Sequence, residues 1–176
     1  VISTKRLKRI LEIDVGNKRL KAEAGVVNTH ITQAVAEHGL HFAPDPSSQT
    51  VSTLGGNIAE NSGGPHTLKY GVTAPHILGL TYVDTVGEVV ELGPVMDGFP
   101  GPDPMALIIG GEGLLGVVTE AWVRLTPVPK AVETALAAFP TIRNATQAVA
   151  GILAAGVVPA ALEMMDKNIL GALNAA

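Results

Sequence analysis

The sequence contains no cysteine, which excludes disulfides and any cysteine-ligated zinc. That absence fits a reducing compartment. No apolar run approaches the roughly 20 residues a membrane-spanning helix needs. The opening Val1-Ile-Ser-Thr-Lys-Arg6 does not set basic residues ahead of an apolar stretch, as a secretory signal would. Positive charge is scarce as well. The basic residues gather only between Lys5 and Arg9 and the net charge is −4, which sets nucleic acid aside as a partner. An initiator Met is lacking, and the stretch 171–176 brings no closing element, so both ends read as cuts within a longer polypeptide. No internal repeat is visible.

Against these absences, 176 residues at 47% hydrophobic content can bury a sizeable core, for one domain or one domain plus part of a second. Leu11, Ile13 and Val15 alternate with polar residues, and Leu20, Ala22 and Ala24 do the same after Gly16-Asn17. A period of two on both sides of a two-residue turn predicts a β-hairpin, ended by Gly25. Ile31, Ala34, Val35 and His38 recur at helical spacing, with Asn28 or Thr29 to cap the helix and Gly39 to stop it. Strand patterning returns over 77–92, with a turn near Val86-Gly87, and again over 116–125. Between them lie a Pro/Gly-rich stretch, 93–104, and a short apolar run, 105–109. Past Pro127 and Pro129 a β-α-β unit is expected, with strands over 132–139 and 157–165. Its helix would be capped by Thr141, stopped by Gly156, and apolar at Ile142, Ala145, Val149, Ile152 and Leu153. A second domain is therefore predicted to begin near residue 130.

Residues 43–76 are rich in Gly, Pro, Ser and Asn and poor in periodicity, which is unusual in a compact domain unless the stretch has a task. Gly55, Gly56, Gly63 and Gly64 bracket Asn57-Ile-Ala-Glu-Asn-Ser62. Glycine lets backbone come close to a ligand, and successive amides can then converge on one anion. One helical turn in the middle would add its N-terminal dipole and set Asn57 and Asn61 on one face. Two readings stand on composition alone: a phosphate-cradling loop, or a plain surface loop.

A second cluster, Gly111-Glu-Gly113-Leu-Leu-Gly116, matches the dinucleotide fingerprint G-x-G-x-x-G by letter. That fingerprint requires a helix after its first glycine. Here Val117, Thr119, Ala121, Val123 and Leu125 alternate onto one face, which predicts a strand and argues against a nicotinamide-binding fold.

Three stretches now carry a family resemblance: Ala43-Pro-Asp-Pro-Ser-Ser-Gln49, Ser52-Thr-Leu-Gly-Gly-Asn-Ile-Ala-Glu-Asn-Ser-Gly-Gly64 and Leu68-Lys-Tyr-Gly-Val72. In that order they resemble the FAD-binding domain of the vanillyl-alcohol oxidase (PCMH) type, and within it the group formed by the D-type subunit of glycolate oxidase and the FAD-linked D-lactate dehydrogenases. The stretch from Pro102 to Glu120 resembles that group's second motif, and Ala161-Leu-Glu-Met-Met-Asp166 the start of its C-terminal substrate domain. The resemblance implies an α+β fold with a mixed or antiparallel sheet flanked by helices. It divides the chain into an FAD-binding part, 1–129, and the opening of a ferredoxin-like substrate domain, 130–176. It implies FAD contacts from Pro44, Asp45, Ser47, Thr53, Leu54, Gly55, Gly56, Asn57, Glu60, Asn61, Gly63, Gly64, Tyr70, Gly71, Gly113, Gly116, Val117 and Val118, the last through its backbone. It further implies a 2-hydroxy acid substrate such as glycolate or D-lactate, hydride transfer to flavin N5, work alongside related oxidase subunits, and a cytoplasmic location. Gly111 stands where the family more often has Ser, and Pro65 where it often has Val. The family's Arg-Gly-Gly-Gly phosphate loop would lie before Val1 and its His/Glu catalytic and metal cluster after Ala176, so no catalytic or metal residue is assigned here.

Other candidates are weighed on their own residues. His38 and His41 are three apart, but Gly39 falls between them and a metal would need more ligands. His66, inside the glycine-rich stretch, either lies near the flavin or stabilises the turn. Glu60 and Glu112 are either an acid–base pair or loop carboxylates bonding backbone amides. Trp122 reads as packing, and Met164 and Met165 as core of a domain junction. Beside the flavoenzyme stand two rival readings, a nicotinamide-dependent dehydrogenase and a non-catalytic subunit or binding module.

Overall fold

In the computed structural model, which describes residues 2–93 and 103–175, β1 (Ile10–Asp14) runs antiparallel to β2 (Arg19–Glu23), as the alternation predicts. The connection is four residues, 15–18, rather than two. Asp14 accepts hydrogen bonds from the Asn17 amide (3.0 Å), the Asn17 side chain (2.7 Å) and Arg19 Nε (2.9 Å), and Lys18 takes φ 52° to complete the reversal. Side-chain bonding has replaced the tight glycine turn.

Next come α1 (Asn28–Val35), β3 (Leu40–His41), α2 (Leu54–Glu60), α3 (Thr67–Tyr70), β4 (Ile77–Asp84) and β5 (Val89–Leu92). After them stand α4 (Met105–Ile108), β6 (Gly116–Arg124) and β7 (Thr126–Pro127). The main sheet has strand order β1-β2-β6-β4-β5 and every pair is antiparallel. β3 pairs with β7 beside it. α1 runs on into a 3-10 turn, Ala36–His38, which Gly39 (φ 65°) stops, but neither Asn28 nor Thr29 caps the helix. Its N-cap is Val27, and Asn28 is buried with its amide donating to Pro44 O at 2.8 Å.

The core lies on one face of the sheet. Leu20 and Ala22 of β2, Leu80 of β4 and Val118, Ala121 and Val123 of β6 meet Ile31 and Val35 of α1 and Leu54 and Ile58 of α2. Each large aliphatic group buried there contributes about 1.5–3 kcal/mol. On β6 the simple alternation fails. A register shift opposite Thr81/Tyr82 leaves Thr119 as an extra residue, so Val118 joins Ala121 and Val123 in the core while Val117 and Thr119 do not. β6 begins at Gly116, where the dinucleotide fingerprint requires a helix, and that reading is excluded.

Beyond Pro127, α5 (Ile142–Ala154) forms as predicted, with Thr141 Oγ1 accepting from the Asn144 amide at 3.2 Å and Gly156 at φ 79°. α6 (Lys167–Ala175) follows. The expected strands over 132–139 and 157–165 are absent: neither segment forms a strand among the described residues. Apolar alternation supplies a face, whereas a strand also needs a neighbour to complete its ladder. Met164 and Met165 are each 53% exposed, so they form no junction core here. Of the Pro/Gly-rich stretch, 94–102 lies outside the described residues, Pro102 of the resemblance included.

Candidate functional site

The glycine-rich segment is folded rather than structureless. Thr53 Oγ1 caps α2 by accepting from the Gly56 amide at 3.2 Å, and the helix runs two turns instead of the one expected. Its first amides all have protein acceptors. Leu54 donates to Val26 O (2.8 Å), Gly55 to Ala24 O (2.7 Å) and Asn57 to Thr53 O (2.9 Å). The convergent anion nest inferred from Gly55 and Gly56 is therefore not what this stretch provides. It provides an open surface at Gly56 and Gly63, both exposed. Asn57 is buried, and neither its Nδ2 nor Ser52 Oγ has a hydrogen-bond partner, two unsatisfied groups on the segment expected to meet a ligand. Asn57 and Asn61 do not share a helix face. Asn61 ends α2 at φ 48°, and its Oδ1 accepts from the Ala74 amide at 2.9 Å.

The two glycine clusters, about 50 residues apart in sequence, are fastened to each other. Gly110 N–H donates to Ile58 O (2.9 Å) and Glu112 N–H to Ala59 O (3.0 Å). Ile58 O also accepts from the Asn61 amide (3.2 Å), so the carbonyl that the helix end would otherwise leave open is that of Ala59. Glu60 and Glu112 come near each other through this backbone pairing, but both side chains are exposed, and Glu112 sits at φ 51°.

A third junction joins the 44–47 turn to the segment around Tyr70. Asp45 Oδ2 lies 2.5 Å from His66 Nδ1, and Asp45 Oδ1 accepts from the His66 amide at 3.3 Å. Gly64 sits against the same residue: a Cβ there would fall 2.1 Å from the Asp45 carbonyl oxygen, so no other side chain fits without backbone movement. The Tyr70 ring meets His41 edge-on at 6.0 Å and tilts on His66 at 6.3 Å, while Tyr70 O is 2.8 Å from His76 Nε2. Burial pushes both His41 and His76 below the ordinary imidazole range, and Nδ1 of each is without a partner. His66 thus stands at the turn, and its ring faces Asp45. Ser47 is exposed at the start of a turn over 47–51, and Pro44, ahead of that turn, is buried.

Gly113, Gly116 and Val117 line a cleft of about 460 Å³ with Ile2, Thr4, Leu7, Val83, Asp84 and Thr119. Its far wall is the N-terminal segment, held by Gly25 N–H to Leu7 O (2.6 Å) and by Arg9 on the buried Glu23 (2.8 Å). β2 ends opposite Glu120, so Gly116–Val118 have a strand partner only in β4. The Val118 side chain belongs to the core. The bond from Asn28 to Pro44 O, the Gly25 bond to Leu7 O and the cleft wall at Thr4 and Leu7 were not legible in the sequence. A polar residue at the first position of an amphipathic helix was the one signal for Asn28.

Across known families, the FAD binding domain matches residues 1–93 and the C-terminal domain of FAD linked oxidases matches 128–176. The glycolate oxidase subunit GlcD of Escherichia coli K12 is 46% identical over 161 residues, which is 92% of this chain and 32% of that protein. The Bacillus subtilis GlcD is 43% identical over 171 residues, 97% of this chain and 36% of that protein. A D-lactate dehydrogenase of Anaerostipes hadrus is 33% identical over 171 residues, again 97% and 36%. A solved alkyldihydroxyacetonephosphate synthase superposes with a TM-score of 0.76 at 28% identity, covering 89% of this chain and 28% of the other. The chain thus spans about a third of the length of the relatives it matches.

Proposed function

The chain belongs to the FAD-binding domain family of the FAD-linked oxidases, and from that premise we propose that it is the cofactor-holding part of an enzyme oxidising a small 2-hydroxy acid, glycolate or D-lactate. The observation that supports this most is the fastening of the 53–64 and 110–113 segments into one surface, beside a cleft with an unpaired strand edge. Bound FAD would supply the two-electron acceptor for hydride from the substrate α-carbon.

Within the chain, Thr53, Leu54, Gly55, Gly56, Asn57, Glu60, Asn61, Gly63 and Gly64 would form one wall of the cofactor site. With the first α2 amides already bonded, that wall would act through its shape and its exposed glycines. Pro44, Asp45 and Ser47 would form the facing turn, and Tyr70 and Gly71 the closing end. Gly113, Gly116 and Val117 would border the cleft, with Val118 bonding through backbone. The apolar and threonine lining of that cleft suits a nucleoside better than a diphosphate. The base that takes the hydroxyl proton would come from the rest of the enzyme. We assign 1–129 to the FAD-binding part and 130–176 to the opening of the substrate domain, since sheet pairing ends at Pro127 and the oxidase match begins at 128. Among the described residues no helix is long and apolar enough to cross a membrane. A cytoplasmic enzyme working with partner subunits accords with the word "subunit" in the names of its relatives.

The test is to purify the full-length polypeptide with and without added FAD, record the flavin spectrum, and then add glycolate or D-lactate without oxygen. FAD should be retained and its visible band bleached by one of the two acids. A protein that retains no FAD ends the proposal. Retention without bleaching by either acid favours a non-catalytic subunit.

A further inference from the structure

We propose that Asp45 and His66 form a clasp that sets the spacing between the two turns facing the cofactor, so that tight FAD binding depends on the pair rather than on either residue alone. This inference rests on the FAD reading above. Residues 45 and 66 are separated by 21 positions, and the carboxylate spans the gap with both oxygens, one on the His66 ring and one on the His66 amide. A carboxylate that bonds the ring also fixes its orientation and its tautomer. On either side of the clasp the chain is anchored. Pro44 O is held by the buried Asn28, and the Gly64 amide is held by Thr67 Oγ1 at 2.7 Å. Gly64 is pressed against the Asp45 backbone, which leaves the two turns no slack except through this pair. No other side-chain hydrogen bond joins 44–47 to 63–71 among the described residues. Both oxygens of Asp45 are directed at His66. Asp45 and His66 act on the cofactor through the position of the backbone they join, so both are positioning residues.

The experiment is a double-mutant cycle on FAD affinity in the full-length protein, read by flavin fluorescence on titration of the apoprotein. Asp45→Asn and His66→Gln should each weaken FAD binding about three- to fivefold, the scale of a partly exposed pair. The double variant should be no weaker than the worse single, because the second change removes nothing further. His66→Arg, which can still bond Asp45, should restore most of the affinity, and the bound-flavin spectrum should return with it. Wild-type affinity in both singles, losses that multiply in the double, or no rescue by arginine would each overturn the clasp while FAD binding by the wild type still stood. Failure of the wild type to bind FAD would instead overturn the reading on which the clasp rests. If Asp45→Asn does not fold, the His66→Gln and His66→Arg pair decides the matter alone: loss with rescue supports the clasp, and any other result rejects it.

Discussion

His41 and His76 pack around Tyr70 with unpartnered Nδ1 atoms, and burial makes the charged form of each costly. The folded state therefore binds fewer protons than the unfolded chain, whose imidazoles titrate near the ordinary 6.5. A depressed histidine contributes stability that is complete above that value and is lost as pH falls through it. The urea midpoint should accordingly drop between about pH 7.5 and about pH 5.5, and His76→Gln should flatten the dependence. An unchanged midpoint over that interval would refute the idea. The same two residues show the limit of reading residues singly. Their sequence neighbourhoods mark neither as buried, because His41 is met by β7 and the Tyr70 ring and His76 by Phe42, each distant in the chain. Asp45 and His66 were likewise each visible, and their pairing across 21 positions was not.

At the scale of elements, what the sequence disclosed depended on how local the determinant is. The hairpin, α1, β4, β5 and α5 carry their periods in their own residues and were legible. α2 was legible only as a single turn, because Gly55 and Gly56 each cost about 1 kcal/mol of helix propensity. What stabilises it is tertiary. A Cβ on Gly55 would lie 2.8 Å from the Ala24 Cβ, so the glycine that weakens the helix is also what lets it dock. Such a short helix depends heavily on its cap. Thr53→Ala should destabilise the protein by about 1 kcal/mol in urea unfolding, while Thr53→Ser should cost much less. Equal losses for the two variants would show that the hydroxyl is not the cap. The failed strands over 132–139 and 157–165 mark the opposite case: a correct local pattern for which the described chain supplies no partner.

For the whole molecule the consequence is an uneven distribution of stability. One core joins β2, β4, β6, α1 and α2, while 128–141 is exposed throughout and lacks helix or strand. Limited proteolysis of this segment of the protein should cut first within 128–141, detectable by mass spectrometry as a resistant core ending near 130. First cuts within 54–76 would contradict the folded glycine-rich stretch described above. β6 is central in the sheet yet comes last among its strands. Leu20 pairs with Val123, and Ala59 O at the end of α2 accepts from the amide of Glu112. On a ribosome adding about 5–20 residues per second, the β6-facing edge of β2 must wait, unpaired, until the chain through Arg124 has emerged. Any ligand of this surface is thus captured after translation of the segment is complete, and a pause before that point prolongs the interval in which β2 is an open edge.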